Sequence, residues 1–236
     1  MTKRPFGMST RLYGSRRLRR EHLLEIAAYG FEAVEVIAAR AHFDFHNEAA
    51  VADLQQWLAE GGLELHNVAV PAPAAADETA KALFIARRIP LNVLIVQATT
   101  PRETAKAVEK LAALAQPLGV TIAIDSASMP PIGSVAHFVD AGVDAAIGVC
   151  LDAAEAQKGG DLVDAIEMVA EHLKAVRIPV ESAAGGIDWP SALTTIQKVG
   201  YDGALMFDGL ARGSTKETLA RAKAAREKME RWLTST

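Results

Sequence analysis

Three aspartates, Asp125, Asp152 and Asp208, each close a short apolar run. Alternate residues of an extended strand share a face, which groups Asp125 with Thr121 and Ala123, Asp152 with Gly148 and Cys150, and Asp208 with Ala204 and Met206. Carboxylates gathered at strand ends can move protons as general acid and base, or hold a hard divalent ion. The same parity adds Arg177 and Glu181 from a seventh run, Gln97 from a fourth and Glu35 from a second, while Arg11 lies near the end of the first. An aspartate after a strand is also a common turn residue and helix cap. Three on one parity favour a shared pocket.

Something must bring these residues together. Short runs rich in Val, Ile and Leu alternate with longer helical patterns, and the beat repeats eight times with no break between domains. The expected strands are Phe6 to Leu12, Ala33 to Ala38, Leu63 to Val70, Asn92 to Ala98, Val120 to Ser126, Ala146 to Asp152, Ala175 to Glu181 and Gly203 to Asp208. The intervening helices include Arg20 to Tyr29, Glu48 to Glu60, Arg102 to Pro117, Asp161 to Leu173 and Trp189 to Val199, and Thr215 to Thr234 closes the chain. Gly30, Gly62, Gly119, Gly142 and Gly200 stand where a helix must stop before the next strand. Asp188 caps the helix that Trp189 and Pro190 open. Eight such units in 236 residues predict a single (β/α)8 barrel over 1–236, close to the ~250 residues typical of that fold. An open doubly wound sheet would show a glycine-rich first turn, whereas Tyr13-Gly14-Ser15-Arg16 supplies one glycine. In a barrel the active site lies at the C-terminal tips of the strands, where the three aspartates fall.

Composition narrows the function. The chain is half hydrophobic with 23% charged residues, that of an ordinary globular protein. A formal net charge of −4 argues against a polyanion as the main partner, so nucleic acid is not expected. The basic cluster Arg16, Arg17, Arg19 and Arg20 reads as a solvated loop and helix start. Lys3 and Arg4 are not followed by the apolar run of a signal peptide, and no stretch is long and apolar enough to span a membrane. A cytoplasmic location is expected, in keeping with a single cysteine, Cys150. Cys150 reads as packing beneath Asp152, and His66, opposite in parity to Ala69, as a structural residue facing the helices.

Several segments resemble the xylose-isomerase-like TIM barrels, a family that includes sugar-phosphate isomerases and epimerases. They are Gly7-Met8-Ser9-Thr10-Arg11-Leu12-Tyr13, His22 to Ala28 followed by Gly30-Phe31-Glu32-Ala33-Val34-Glu35, Ala41-His42-Phe43-Asp44-Phe45-His46, Gly186-Ile187-Asp188-Trp189 and Gly200-Tyr201-Asp202-Gly203. The resemblance implies a divalent metal held by a glutamate on strand 5, an aspartate on strand 6, a histidine on strand 7 and a glutamate on strand 8, the two glutamates also moving protons. Here Asp125 and Asp208 stand at the glutamate positions and Asp152 keeps the aspartate. Arg177 and Pro179 occupy the stretch where the family carries histidines, and Ala69 and Gln97 stand where strands 3 and 4 often offer one. A guanidinium 4 Å from a dication would be repelled by roughly 8 kcal/mol at an effective dielectric of 20, and arginine cannot deprotonate to escape. The expectation is a degenerate site with no bound metal, in which Arg177 pairs with some of Asp125, Asp152 and Asp208. The alternative is a divalent Mn, Mg or Zn held by Asp125, Asp152, Glu181 and Asp208. The segment after strand 7, Ser182 to Gly186, is short for the family. His42 and His46, expected in an exposed loop, offer hydrogen bonds to a sugar or phosphate.

Two functions follow from the resemblance. One is a sugar or sugar-phosphate isomerase or epimerase with Asp125 and Asp208 as the proton-transfer pair and Arg11, Glu35, His42, His46, Gln97, Asp152, Arg177 and Glu181 in the pocket. The other is a catalytically silent sugar-binding protein, or the partner subunit of an active homologous barrel. The expected ligand is small and sugar-like, with no membrane and no nucleic acid involved; whether a second copy or a homologous chain joins it stays open.

Overall fold

Each apolar run pairs in parallel with the next, and the eighth returns to the first. The strands are β1 (Phe6–Ser9), β2 (Ala33–Ile37), β3 (Glu64–Ala69), β4 (Val93–Val96), β5 (Thr121–Asp125), β6 (Ile147–Asp152), β7 (Leu173–Pro179) and β8 (Leu205–Asp208). The computed structural model describes residues 4–71, 76–141, 147–183, 186–211 and 213–234. The helices are α1 (Arg20–Ala28), α2 (Glu48–Gly61), α3 (Ala76–Ala80), α4 (Pro101–Ala115), α5 (Ile132–Asp140), α6 (Ala153–Gly159), α7 (Leu162–Met168), α8 (Trp189–Lys198) and α9 (Thr215–Thr234). This is the expected (β/α)8 barrel. Among the described residues no helix is long and apolar enough to cross a membrane.

Element bounds differ from the periodicity where local hydrogen bonding intervenes. The first strand stops at Ser9, whose hydroxyl accepts from Arg11 N and turns Thr10–Tyr13 into a 3-10 turn ending at Gly14, φ 61°. The helix expected to reach Leu173 ends at Met168, and Leu173 begins β7, so that β7 stops at Pro179 rather than at Glu181. Gly142 and Ala146 lie outside the described residues. Asp188 caps α8 as expected, accepting from Ser191 N at 3.3 Å.

Inside the barrel the side chains are small. Ala69, Ala123, Cys150 and Ala175 pack with Ile37, Val93 and Ile95, and lower down Ala33, Ala204 and Met206 form a separate cluster. Met206 fills the space that Gly7 vacates: a Cβ on Gly7 would stand 2.7 Å from its sulfur and from the Ala33 carbonyl oxygen. Outside, apolar faces such as Val108, Leu111, Ala112 and Ala115 of α4 pack the helices onto the strands.

Two irregularities re-aim side chains at the N-terminal end. Between β2 and β3 the register jumps from Val34↔Leu65 to Glu35↔Asn67, leaving His66 as the extra residue. Its ring crosses the barrel floor, where Nε2 accepts from Ala204 N at 3.0 Å and Nδ1 lies 3.0 Å from the Asn92 amide. The parity that placed His66 against the helices fails because a bulge breaks the alternation. Between β6 and β7 Lys174 is skipped in the same way, and its stem lies where Gly148 has no Cβ. Both residues line a floor cavity of about 480 Å³.

Gly7→Val forces the Met206 contact and the approach to the Ala33 carbonyl, and destabilises the chain by about 1–3 kcal/mol in urea unfolding. Adding Met206→Ala recovers part of the loss, since only the carbonyl contact then remains. A Gly7→Val chain of unchanged stability would contradict this packing.

Candidate active site

At the C-terminal end of the barrel a buried cation meets buried anions. Arg177, on the inward face of β7, is 1% exposed, and its partners Glu35 on β2 and Asp125 on β5 are 0% and 4% exposed. Arg177 Nε donates to Glu35 Oε2 at 3.2 Å, and Nη1 donates to Asp125 Oδ2 at 2.7 Å. Nη2 stands 3.1 Å from Glu35 Oε1 but outside hydrogen-bond alignment, so it is a buried donor without a partner. Glu35 also accepts from Ser9 Oγ at 2.9 Å, and Asn67 Nδ2 reaches Oε2 at 3.5 Å. Register explains the grouping, because Ser9, Glu35 and Asn67 are consecutive partners across β1, β2 and β3.

Burial pulls the Arg177 guanidinium down, but the surrounding acids, Glu35 foremost, outweigh it and hold its pKa well above the usual value. Burial pushes the Glu35 carboxyl up while Arg177 pulls against it. In water-poor surroundings such a set is stable only as a set.

The other two aspartates turn to other partners. Asp152 Oδ1 accepts from Ala154 N at 2.9 Å and Glu155 N at 3.0 Å, so the capping role weighed from sequence is realised. Burial raises the Asp152 pKa, the hydrogen bond from Glu155 opposes this, and the charges of Asp125 and Asp208 add to the rise. Asp208 Oδ2 pairs with Arg11 Nη1 at 3.2 Å, while Oδ1 is buried without a hydrogen-bond partner. Asp125 has neither oxygen idle, since Oδ1 accepts from Ala127 N at 3.1 Å. Gln97, just beyond β4, is half-buried at the rim. Arg177 therefore pairs with Asp125, as expected, and with Glu35 instead of Asp152 or Asp208, whose carboxylates are engaged by the α6 amides and by Arg11.

Three expectations need correction. His42 is not an exposed loop residue: it is 2% exposed, its Nδ1 donates to the Arg16 carbonyl at 2.6 Å, and Nε2 accepts from Thr10 Oγ1 at 3.1 Å. The Thr10 hydroxyl in turn accepts from Ile37 N at 3.0 Å, so His42 locks the loop after β2 to the turn after β1. His46 lies apart from the carboxylates, with Nε2 2.8 Å from Glu78 Oε1, in a separate groove beside Lys81 and Phe84. Glu181 falls past the end of β7, is exposed, and stands beside Gly209 at the rim. Ser9 and Asn67 escaped the sequence reading, although parity with Gly7 and Ala69 marks both as inward-facing. Cys150 is buried one layer below Asp152, with burial pushing its thiol pKa well up.

The donor set does not suit a divalent ion. Among the described residues no three of His, Cys, Asp and Glu come together to hold a metal. The acids there are already engaged: Glu35 and Asp125 by the Arg177 guanidinium, Asp152 Oδ1 by the first amides of α6 and Asp208 Oδ2 by Arg11. The four carboxylates of the alternative form no such group, Glu181 being exposed past the end of β7 beside Gly209.

No protein-family model and no curated protein matches the chain. Solved structures do. D-Psicose 3-epimerase from Clostridium cellulolyticum, solved with D-tagatose, is 14% identical, with 97% of this chain and 99% of that one covered and a TM-score of 0.82. A xylose isomerase-like TIM barrel protein from Mycobacterium smegmatis, solved in complex with magnesium, is 11% identical over 98% and 97% of the chains, TM-score 0.82. L-Ribulose 3-epimerase is 17% identical over 98% and 95%, TM-score 0.80. The chain has the fold of xylose-isomerase-like TIM barrels.

Arg177→Met strands the Glu35 and Asp125 carboxylates and destabilises the chain by about 3–5 kcal/mol in urea unfolding. Glu35→Leu combined with Arg177→Met loses less than the single substitution, because one of the two stranded carboxylates is gone while Asp125 remains; a purely additive double variant would dissolve the coupling. Burial holds the His42 pKa below its usual value, the Arg16 carbonyl opposing. The unfolded chain therefore takes up a proton that the folded one refuses, and stability falls as pH drops from about 7 to about 5. His42→Gln flattens that fall in a pH series of thermal melts.

Proposed function

We propose that the chain is a sugar or sugar-phosphate isomerase or epimerase that transfers protons with its own carboxylates, its own charged groups standing where the resembled family holds a divalent ion. One observation carries this reading: Asp125 and Asp208 lie buried at the C-terminal ends of β5 and β8, both close enough for their charges to act on Asp152, in a barrel whose fold is that of D-psicose and L-ribulose 3-epimerases. Two buried carboxylates at one barrel mouth suit carbonyl-adjacent proton transfer. One carboxylate removes a proton from the carbon beside the carbonyl; the C–H electron pair becomes the C=C bond of an enediolate while the carbonyl π pair moves onto its oxygen. Return of a proton to the opposite face of the same carbon, with the carbonyl re-forming, gives the epimer; return to the former carbonyl carbon, with the hydroxyl proton passing to the other oxygen, gives the isomer.

In this reading the free Oδ1 of Asp208 takes or gives the proton, with Arg11 on Oδ2 holding the carboxylate still. Asp125 is the second carboxylate, steadied by Arg177 and Ala127 N. Gln97 and Asp152 line the same rim and hydrogen-bond ligand hydroxyls. We place the activity in the cytoplasm, with neither membrane nor nucleic acid involved.

A second reading has its own support. Both Asp125 oxygens are already hydrogen-bonded, which suits a silent sugar-binding barrel or the partner subunit of an active homologue.

One experiment separates the two. The protein is incubated in D2O with D-fructose, D-psicose, D-tagatose or L-ribulose, and deuterium entering carbon is followed by NMR. Under the enzymatic reading at least one sugar exchanges, and Asp208→Asn or Asp125→Asn slows it by about 10²–10⁴-fold. Under the silent reading a sugar raises the melting temperature while no carbon exchanges. Unchanged exchange in both variants sinks the carboxylate pair.

A further inference from the structure

We propose that Arg177 takes the place at the barrel mouth that a divalent cation would need, so that the mouth excludes such ions and offers a guanidinium N–H to a ligand oxygen instead. The proposal deepens the functional reading and rests on it in taking this mouth as the site.

Position comes first. Arg177 reaches across the barrel from β7 to β2 on one side and β5 on the other, ending 3.1–3.2 Å from Glu35 and 2.7 Å from Asp125. Space for that span exists because Ala123, Cys150 and Ala175 make the buried interior around it small. The side chain is not a surface arginine folded inward: three contacts with Glu35 and Asp125, themselves braced by Ser9 and Ala127, define where each nitrogen points.

Charge comes second. Arg177 matches two of the four acids at the mouth, Glu35 and Asp125. Of the others, Asp152 gives one oxygen to the α6 backbone and Asp208 gives one to Arg11. What remains is a pair of single oxygens at a mouth that already holds a permanent cation, whose charge repels a dication.

The third observation points to a ligand. Nη2 of Arg177 and Oδ1 of Asp208 are both buried and both lack a hydrogen-bond partner. Unpaired buried polar atoms are costly, and one donor with one acceptor suits a ligand that presents an oxygen acceptor and a hydroxyl close together. A carbonyl or enediolate oxygen on Nη2 would be stabilised by a fixed positive charge, the work otherwise done by a Lewis acid, with no ion to bind or lose. Glu35 is then a positioning residue, acting through Arg177.

Metal content tests this without any turnover assay. Protein grown with added manganese and purified without chelator is measured by elemental analysis, then titrated with Mn²⁺ and followed by electron paramagnetic resonance. The wild-type chain is expected to hold no stoichiometric metal and to leave Mn²⁺ free. Arg177→Gln, which releases Glu35 and Asp125, is expected to bind Mn²⁺ at least about tenfold more tightly than wild type, reflecting the lost repulsion; Glu35→Gln with Arg177→Gln serves where the single variant does not fold. Stoichiometric metal in the wild type, lost in Asp125→Asn, overturns the proposal. So does a folded Arg177→Gln chain, or folded double variant, that binds Mn²⁺ no better than wild type. A metal-free wild type that exchanges no sugar deuterium removes the enzymatic reading and leaves this assignment standing.

Discussion

A guanidinium buried in a barrel of small apolar residues is the constraint from which the rest of the mouth follows. Arginine keeps its charge, so Arg177 can be buried only if acids accompany it at hydrogen-bond distance, and Glu35 and Asp125 do so from opposite strands. Those acids in turn need their remaining oxygens satisfied, which accounts for the Ser9 hydroxyl on Glu35 and the Ala127 amide on Asp125. The small residues at 123, 150 and 175 are the steric counterpart of the same demand. Removing any one of these groups leaves another buried and unmatched.

The two ends of the barrel are built by different means. At the floor, bulges between β2 and β3 and between β6 and β7 turn His66 and Lys174 inward, and Met206 plugs the gap left by Gly7. At the mouth the strands stay regular, and the chemistry depends on which loop group each acid finds. Asp152 finds the first amides of α6, Asp208 finds Arg11, and His42 ties the loop after β2 to Thr10 and Arg16. The mouth is consequently a set of acids with different neighbours rather than a ring of equivalent groups.

Much of this was legible in the order of residues. Parity along β5, β6 and β8 placed Asp125, Asp152 and Asp208 on inward faces, and Arg177 stood out as a charged residue on the inward parity of β7. Other features were hidden because they depend on pairing between strands. Glu35 as the main partner of Arg177 requires the register of β2 against β1 and the reach of a long side chain across the barrel. His66 was misplaced because a bulge is a property of two strands, not one. Glu181 was misplaced because β7 begins and ends two residues early, and His42 because loop exposure cannot be judged before the loop has a neighbour to pack on.

The amino-acid sequence by itself determined the eightfold alternation, the closed parallel barrel and the placing of ionisable residues at its strand tips, since apolar periodicity acts locally along the chain. Only the tertiary structure decided which acid faces which cation, which oxygens stay free, and that His42 is internal and Glu181 external. Those choices are made by distances between residues as far apart as Glu35 and Arg177, and electrostatic and hydrogen-bond energies depend on such distances, not on separation along the chain.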